Sequence, residues 1–220
     1  MINSEAAHIA LRQRAMTVVV ATTGAVTLSA TLSGYARTIG SFLTDGFAIG
    51  MEIQPVGFAS NPVDVITGIT ALTLTVATPR TVEAVAAARS IAVGLPALKA
   101  FENQTLTPIP GRPYLEEEYA PSTNRLLSFP AKGGTTEETG LYLLKWYGLA
   151  NTGVSAVRRA IDALKALFAP GTAIVVGTST VYVRSDVGPY SSQLIPQGNG
   201  FAVAVLTVPW RVRTQNVIAP

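Results

Sequence analysis

Two short acidic runs contain the side chains best suited to chemistry. Glu116, Glu117 and Glu118 form one run, and Glu137 and Glu138 form the other. Such carboxylates could bind a metal ion or act as an acid–base pair. In a strand, however, Glu116 and Glu118 lie on one face and Glu117 on the other, which makes a three-carboxylate site geometrically awkward. We therefore interpret the first run as a solvated edge strand whose charges prevent wrong pairing.

Histidine and cysteine chemistry is limited by composition. His8 is the single histidine and cysteine is absent, which excludes disulfides, thiolate metal sites and multi-histidine sites. His8 could titrate near neutral pH, but without a second histidine we interpret it as a surface or interface residue. The phosphate-loop, dinucleotide, zinc-protease and nucleophile-elbow patterns are also missing. We therefore expect no cofactor, no metal and no enzymatic activity.

Basic side chains recur in two small groups, which are Arg158, Arg159 and Lys165 on a predicted helix and Arg211 and Arg213 on the last predicted strand. Arginine is well suited to phosphate. Four or five bases with acids nearby are nevertheless too few for tight binding to DNA. A lumen that lets DNA pass, or an interface with an acidic partner, fits better.

Charge is scarce over the whole chain. Its 220 residues are 48% hydrophobic and 13% charged, with a formal net charge of +3. Globular proteins carry about 25% charged residues. The composition excludes a disordered tail and a histone-like coat for nucleic acid. Apolar area left on a protein surface usually marks a contact with another chain, so we expect a homo-oligomer.

One uncharged segment, residues 15–36, is long enough to span a bilayer. Nine of its 22 positions are Thr, Ser or Gly. Apolar and polar residues alternate over 26–33, a pattern typical of a half-buried strand. We therefore expect neither a membrane contact nor a cleaved signal, and we expect residues 1–20 to be retained in a protein assembled in the cytoplasm.

The first half of the chain predicts one helix followed by short strands. The helix covers residues 4–19, and the strands cover 25–32, 35–39, 48–56, 64–69 and 71–77. Turn residues separate them at Gly34, at Asp45-Gly46 and at 60–62. Residues 81–88 fit a helix or a strand equally. Short strands at intervals of about ten residues predict a small barrel or sandwich.

The second half predicts longer strands around one strong helix. The helix covers residues 153–168 because apolar side chains recur at spacings of three and four. The predicted strands are 99–106, 114–119, 125–129, 139–147, 172–184 and 201–213. This order predicts an α+β fold, mostly antiparallel sheet with helices packed on one face. We divide the chain into a main domain, residues 1–21 and 95–220, and an inserted small β domain, residues 22–94.

Three segments of the second half form a recognisable series. They are Phe101-Glu102-Asn103, then Pro108 or Pro110 and Tyr114-Leu115; the strand Gly140-Leu141-Tyr142-Leu143-Leu144; and the closing Val208-Pro209-Trp210-Arg211-Val212. In this order they resemble the tail terminator-like proteins of long-tailed (siphovirus-type) bacteriophages. The resemblance covers the first helix and residues 95–220. About 75 residues interrupt it after the first helix, and residues 38–53 of that insertion resemble a small β module recurrent in phage proteins.

The resemblance implies a non-enzymatic hexameric ring that caps the tail tube and joins it to the head-side connector. DNA would pass through its channel without sequence recognition. The alternatives are another neck or head-completion protein, or a secreted β-rich binding module. Our candidates for subunit contact are Tyr114, Leu115, Trp146, Arg158, Arg159 and Lys165, divided between the proline-rich loop with Tyr114 and the basic helix face.

Overall fold

A computed structural model describes residues 4–60, 62–102, 104–128, 134–150, 154–176, 179–197 and 199–215. Strands dominate this part of the chain and form two sheets. One sheet closes into a six-stranded barrel and the other is an open half-barrel. Among the described residues, all strand pairs are antiparallel except one. The predicted small β-barrel and the mostly antiparallel pairing are therefore present.

The barrel occupies the N-terminal part of the chain. Its strands are β1 (Ala21–Thr22), β2 (Val26–Thr31), β3 (Gly34–Arg37), β4 (Met51–Val56), β5 (Asp64–Ile69), β6 (Thr73–Val76) and β7 (Glu83–Pro96). The order β7-β2-β3-β6-β5-β4 closes because β4 also pairs with β7. β1 adds to β7 from outside that ring. Residues 81–88, whose sequence fits a helix or a strand equally, belong mostly to β7.

Alternating side chains fill the barrel. Leu28, Tyr35, Ile53, Ile66 and Ile91 are all buried in one continuous core. Because side chains of a strand alternate between faces, the sequence alternation places this apolar set inside and the threonines outside.

A short helix, α2 (Phe42–Asp45), closes over the barrel core with the buried Phe42. Ser41 caps it by accepting a hydrogen bond from the Thr44 amide, and Gly46 ends it at φ 98°. A residue with a side chain rarely adopts that φ, which explains the glycine. The sequence predicted a turn at Asp45-Gly46; the structure shows the helix that this glycine terminates.

The half-barrel contains β8 (Leu98–Ala100), β9 (Tyr114–Ser128), β10 (Thr135–Leu149), β11 (Ala173–Val176), β12 (Ser179–Val183), β13 (Tyr190–Ser191), β14 (Ile195–Gln197) and β15 (Phe201–Gln215). Its order is β11-β12-β15-β10-β9-β8, and β13 and β14 also pair with β15. β9, β10 and β15 have fifteen residues each. Each therefore extends about 50 Å at about 3.4 Å per residue.

Two longer helices pack on this sheet. α3 (Val154–Leu167) contacts β10 and β15, and α1 (Ser4–Ala15) contacts β11, β10 and α3. Val157, Ile161 and Leu164 are buried, as the helical spacing predicted. A side chain at Gly148 of β10 would overlap Val157, so this glycine allows α3 to approach the sheet closely.

Several predicted strands have different bounds. β9 runs without interruption through residues 120–124, where the sequence predicted a gap. Pro121 is accommodated there because the pairing of β9 with β10 shifts between Thr139 and Gly140. The strand predicted at 99–106 ends at Ala100, where the amide of Gln104 bonds the carbonyl of Phe101. Residues 172–184 form the two strands β11 and β12.

The described part of the chain is mostly β, so the predicted α+β class is not confirmed. The difference arises because the barrel and the three fifteen-residue strands outnumber the helical residues. Strand β7 continues from the barrel to Pro96, and β8 of the half-barrel begins at Leu98. The division at residues 21/22 and 94/95 stays a prediction.

Candidate assembly surfaces

The first acidic run is divided between the two faces of β9. Glu116 accepts a hydrogen bond from the hydroxyl of Tyr147 at 2.9 Å, and Glu118 forms a 2.8 Å ion pair with Lys145. Glu117 lies on the opposite face and is buried. The prediction that the three carboxylates do not converge is therefore right, but the solvated-edge interpretation is wrong for Glu117.

Glu117 is part of a buried polar cluster between α1 and β9. Its carboxylate bonds the ring of His8 and accepts a 2.8 Å hydrogen bond from Arg12 Nε. The other ring nitrogen of His8 lies 3.2 Å from Glu102, and the ring stacks on Tyr119 at 4.6 Å. The interpretation of His8 as a surface residue is wrong, because it anchors α1 to the sheet. The spacing of His8 and Arg12, one helical turn apart, was the available signal.

Across the described ranges, no three His, Asp or Glu side chains are placed to hold a metal ion. The helices in those ranges are also too short or too polar to cross a bilayer.

Three of the six candidate contact residues are buried within the folded protein. Tyr114, Leu115 and Trp146 are 6%, 2% and 3% exposed, respectively. Tyr114 stacks on Tyr147 at 4.1 Å and meets the ring of Phe201 edge-on at 5.2 Å. Burial raises the pKa of the Tyr114 phenol above its ordinary value. These side chains support the sheet beneath the proline-rich loop and offer almost no surface to a second subunit.

The other three candidates lie on α3 but differ in exposure. Arg158 and Lys165 are exposed, with the exposed Asp162 between them on the same face of the helix. Arg159 is half-buried and donates a 2.7 Å hydrogen bond from Nη1 to the carbonyl oxygen of Asp45 in α2. The helix therefore joins the barrel through Arg159 and presents Arg158 and Lys165 outward. We call Arg158, Asp162 and Lys165 the α3 face.

A largely apolar cavity of about 380 Å³ adjoins this junction. Phe47 and Met51 of the barrel side, Trp146 of β10 and Val157 and Arg159 of α3 are among its lining residues. The barrel and the half-barrel thus meet around an incompletely filled space that Arg159 and Asp45 bridge.

Arg211 and Arg213 lie on the face of the half-barrel sheet opposite α3. Arg213 Nε donates a 2.8 Å hydrogen bond to Glu137. Arg211 lines a polar cavity of about 280 Å³ whose other lining residues are Thr123, Arg125, Glu137, Thr139, Arg184 and Asp186. The structure therefore adds Arg125 and Arg184 to the two arginines singled out in the sequence. Cross-strand register brings them together, and the sequence alone does not give that register.

Exposed apolar side chains are frequent on the barrel. Eight large ones among its described residues are at least two-fifths exposed, and they are Leu32, Ile39, Leu43, Val56, Val63, Leu72, Val82 and Val85. This accumulation agrees with the expectation that apolar surface remains available for another chain.

Comparisons with known proteins give the family. No curated protein matches the chain. Among the solved structures that align with the chain, one has a TM-score of 0.41 and 19% sequence identity, and the alignment covers 56% of this chain and 81% of the solved one. The sequence matches the family described as Phage tail terminator protein over residues 74–210, which is more than half of the chain. The chain therefore belongs to the phage tail terminator family and is a structural component of a bacteriophage tail that interacts with other tail or head–tail proteins.

Proposed function

We propose that the protein caps the tail tube as a hexameric ring, joins it to the head-side connector and lets DNA pass through the channel of the ring. The observation that carries the proposal is the family match over residues 74–210. The apolar side chains left exposed on the barrel support it, because such surface usually lies against another chain. Assembly in the host cytoplasm is part of the same proposal.

A ring closes through two different patches on each subunit. We assign the α3 face to one patch and the proline-rich loop at residues 108–113 to the other. Ile109 in that loop is 42% exposed, and the buried Tyr114 follows directly and fixes the end of the loop to the sheet. Arg158 and Lys165 are suited to the rim of such a contact, where charges set orientation more than affinity.

We also propose that the protein has no catalytic activity. The side chains most capable of acid–base chemistry have partners within the chain: Glu116 with Tyr147, Glu117 with His8 and Arg12, and Glu118 with Lys145. This engagement gives them a structural role, consistent with the family.

The experiment is sedimentation velocity of the wild-type protein over a range of concentration and salt, with and without purified tail-tube protein. Electron microscopy of the same samples shows ring number and tube ends. We expect rings of six subunits that bind tube ends. A protein that stays monomeric with and without tube protein would contradict the proposal.

A matched pair of variants tests the assigned patch. Arg158→Glu/Lys165→Glu reverses two charges on the α3 face, and Arg125→Glu/Arg211→Glu reverses two on the opposite sheet face. We expect the first variant to shift the assembly midpoint to at least about tenfold higher concentration, and the second to assemble like wild type. Circular dichroism checks that both are folded. Equal effects of the two variants would show that the α3 face is not the subunit contact.

A further inference from the structure

We propose that the outer face of the half-barrel sheet contacts the phosphate groups of double-stranded DNA and therefore lines the channel. This inference rests on the proposed ring function and names the ligand of one of its surfaces. Arg125, Arg184, Arg211 and Arg213 carry the proposal, and we call them the arginine face.

Pairing register places these side chains together. Arg211 of β15 is paired with Tyr182 of β12 on one side and with Thr139 of β10 on the other. Paired residues of antiparallel strands point to the same face of a sheet. Thr139 is paired in turn with Thr123 of β9, and their hydroxyls are 2.8 Å apart. One row of polar side chains thus crosses four strands.

A second row runs parallel to the first, two residues farther along each strand. Arg213 is paired with Glu137, and Glu137 with Arg125. Side chains two residues apart on a strand are about 7 Å apart. The polar cavity lies between the rows, with Arg184 and Asp186 at its side. The result is a concave surface of guanidinium and hydroxyl groups, both of which bind phosphate oxygens.

The charges on this face do not cancel. Around the polar cavity, four arginines lie with two carboxylates, Glu137 and Asp186, which leaves a local surplus of two positive charges. Farther along the same sheet face, Glu116 and Glu118 lie with Lys145. Asp186 is bound to Arg184, and that hydrogen bond holds its pKa below the ordinary value. Glu137 is bound to Arg213. Within the described ranges, Arg125 and Arg211 have no carboxylate within ion-pair distance.

A second copy of this chain is a poor source of the missing anions. All thirteen acidic residues lie in the described ranges. Among those that are exposed, Asp162 is the one for which these ranges show no partner. One exposed carboxylate does not complement two unpaired guanidinium groups, whereas duplex DNA carries one charge per about 1.7 Å of its axis.

The small surplus of positive charge also suits a DNA duplex that passes through the channel rather than one that stays bound there. A protein that neutralises few phosphates binds DNA weakly, and its affinity falls less steeply with salt than that of a protein with many phosphate contacts. The mixture of paired and unpaired arginines can therefore contact a moving duplex without holding it. Arginine recognises phosphate through two parallel hydrogen bonds and needs no contact with the bases.

The test is binding of a fluorescein-labelled 20-base-pair duplex of mixed sequence, measured by anisotropy between about 50 and 200 mM NaCl. Arg125→Gln/Arg211→Gln removes two phosphate contacts. We expect the slope of log affinity against log salt to fall in magnitude by about 2. Affinity at about 0.1 M salt should fall by about tenfold to hundredfold. Arg125→Lys/Arg211→Lys keeps the charge and should retain most of the slope.

Arg14→Gln/Lys99→Gln is the matched control, because it removes two positive charges outside the arginine face and outside both assigned subunit patches. A loss equal to that of Arg125→Gln/Arg211→Gln would overturn the proposal, and so would an unchanged slope in the latter variant. Tighter binding of polyglutamate than of DNA by the wild type would indicate an acidic protein partner instead and would also overturn it. Sedimentation of the same samples separates the two proposals: rings without DNA binding refute the arginine face alone, whereas monomers that bind DNA through these arginines refute the ring.

Discussion

The barrel and the half-barrel differ in how their charged side chains are paired. Each buried or half-buried arginine of the barrel has a carboxylate partner, and the pairs are Arg37–Asp45, Arg80–Asp64 and Arg89–Glu83. The half-barrel side keeps Arg125, Arg158, Lys165 and Arg211 without ion-pair partners in the described ranges. The arginines of the barrel therefore bind carboxylates within the barrel itself. The unpaired basic side chains of the half-barrel can bind other molecules.

The two sheets also differ at their edges. The six barrel strands form a closed ring of hydrogen bonds through β4 and β7. In the described part of the half-barrel, β9 pairs with β8 only over residues 114–116, and β11 is an outer strand with Val175 75% exposed. Closure removes strand edges, and an open sheet presents them for contact. Under the proposed function, we expect the half-barrel to supply the DNA and subunit contacts and the barrel surface to supply apolar contacts.

The largest expected effect is a loss of stability confined to the half-barrel. Trp210 is fully buried, stacks on Tyr119 at 5.2 Å and lies against Gly140, where a side chain would come within 2.6 Å of the indole. Trp210→Ala should lower the free energy of unfolding by about 4 kcal/mol. The measurement is urea denaturation followed by the fluorescence of Trp146.

Trp210→Phe is the control and should lose less than half as much, since most of the ring contact remains. Both tryptophans of the protein lie in the half-barrel, so fluorescence reports this sheet while circular dichroism reports both. If the two signals of Trp210→Ala still coincide at one midpoint, the two sheets unfold together and the comparison fails.

The next effect concerns the barrel. Arg80 Nη2 donates a 2.6 Å hydrogen bond to Asp64, and both side chains are buried. Arg80→Met should destabilise the barrel by about 3 kcal/mol, because it leaves a carboxylate buried without its cation. Asp64→Asn in the same background removes that charge and should restore part of the loss. Urea titrations by circular dichroism measure the cycle, and a double variant less stable than Arg80→Met would show that the unpaired carboxylate is not the cause.

Much of this organisation follows from local sequence. The alternation at 26–33 predicts β2, and the apolar spacing after residue 153 predicts α3, because each pattern is a direct consequence of strand or helix geometry. The small barrel and the family resemblance also follow from the sequence. These features depend on residues that are close together along the chain.

Features that depend on distant residues could not be predicted in this way. Glu117 meets His8 and Arg12 more than a hundred positions away, and no local pattern shows which face of β9 is covered. Tyr114 and Trp146 resemble interface anchors in composition, but their burial depends on the pairing of β9 with β10. Arg125 joins Arg211 only through the register of three strands.

A smaller effect tests the connection between the two regions. Arg159→Leu keeps the apolar stem but removes the hydrogen bond to the carbonyl of Asp45. We expect a loss of about 1–2 kcal/mol, typical of a hydrogen bond with one charged partner. Differential scanning calorimetry should show the barrel and half-barrel transitions moving apart. Arg158→Leu on the exposed side of α3 is the control, and an equal change in that variant would assign the effect to α3 itself.

The smallest effect depends on pH. Glu138 is half-buried, and burial raises its pKa above the ordinary value. A raised carboxyl pKa means that the folded state disfavours the ionised form, so stability decreases as pH rises from the unfolded pKa of about 4.3 through the folded one. Glu138→Gln should therefore stabilise the protein by less than about 1 kcal/mol at pH 7 and by less at pH 4. Thermal melts at both pH values measure this difference.

Glu137→Gln is the neighbouring control, since Glu137 points to the opposite face and pairs with Arg213. It should not become more stable at pH 7. A stabilisation of Glu138→Gln that is the same at pH 4 and pH 7 would contradict the assignment to ionisation.

The position of β15 has a consequence for synthesis of the protein. This strand follows every other strand of its sheet in sequence, yet it lies in the middle, between β10 and β12. Domains generally fold as they leave the ribosome, N-terminal part first. The barrel can therefore close while translation continues, whereas β10 keeps an unpaired edge until residues 201–215 emerge. A nascent chain thus acquires its mature half-barrel only after residues 201–215 have left the ribosome, later than the barrel can close.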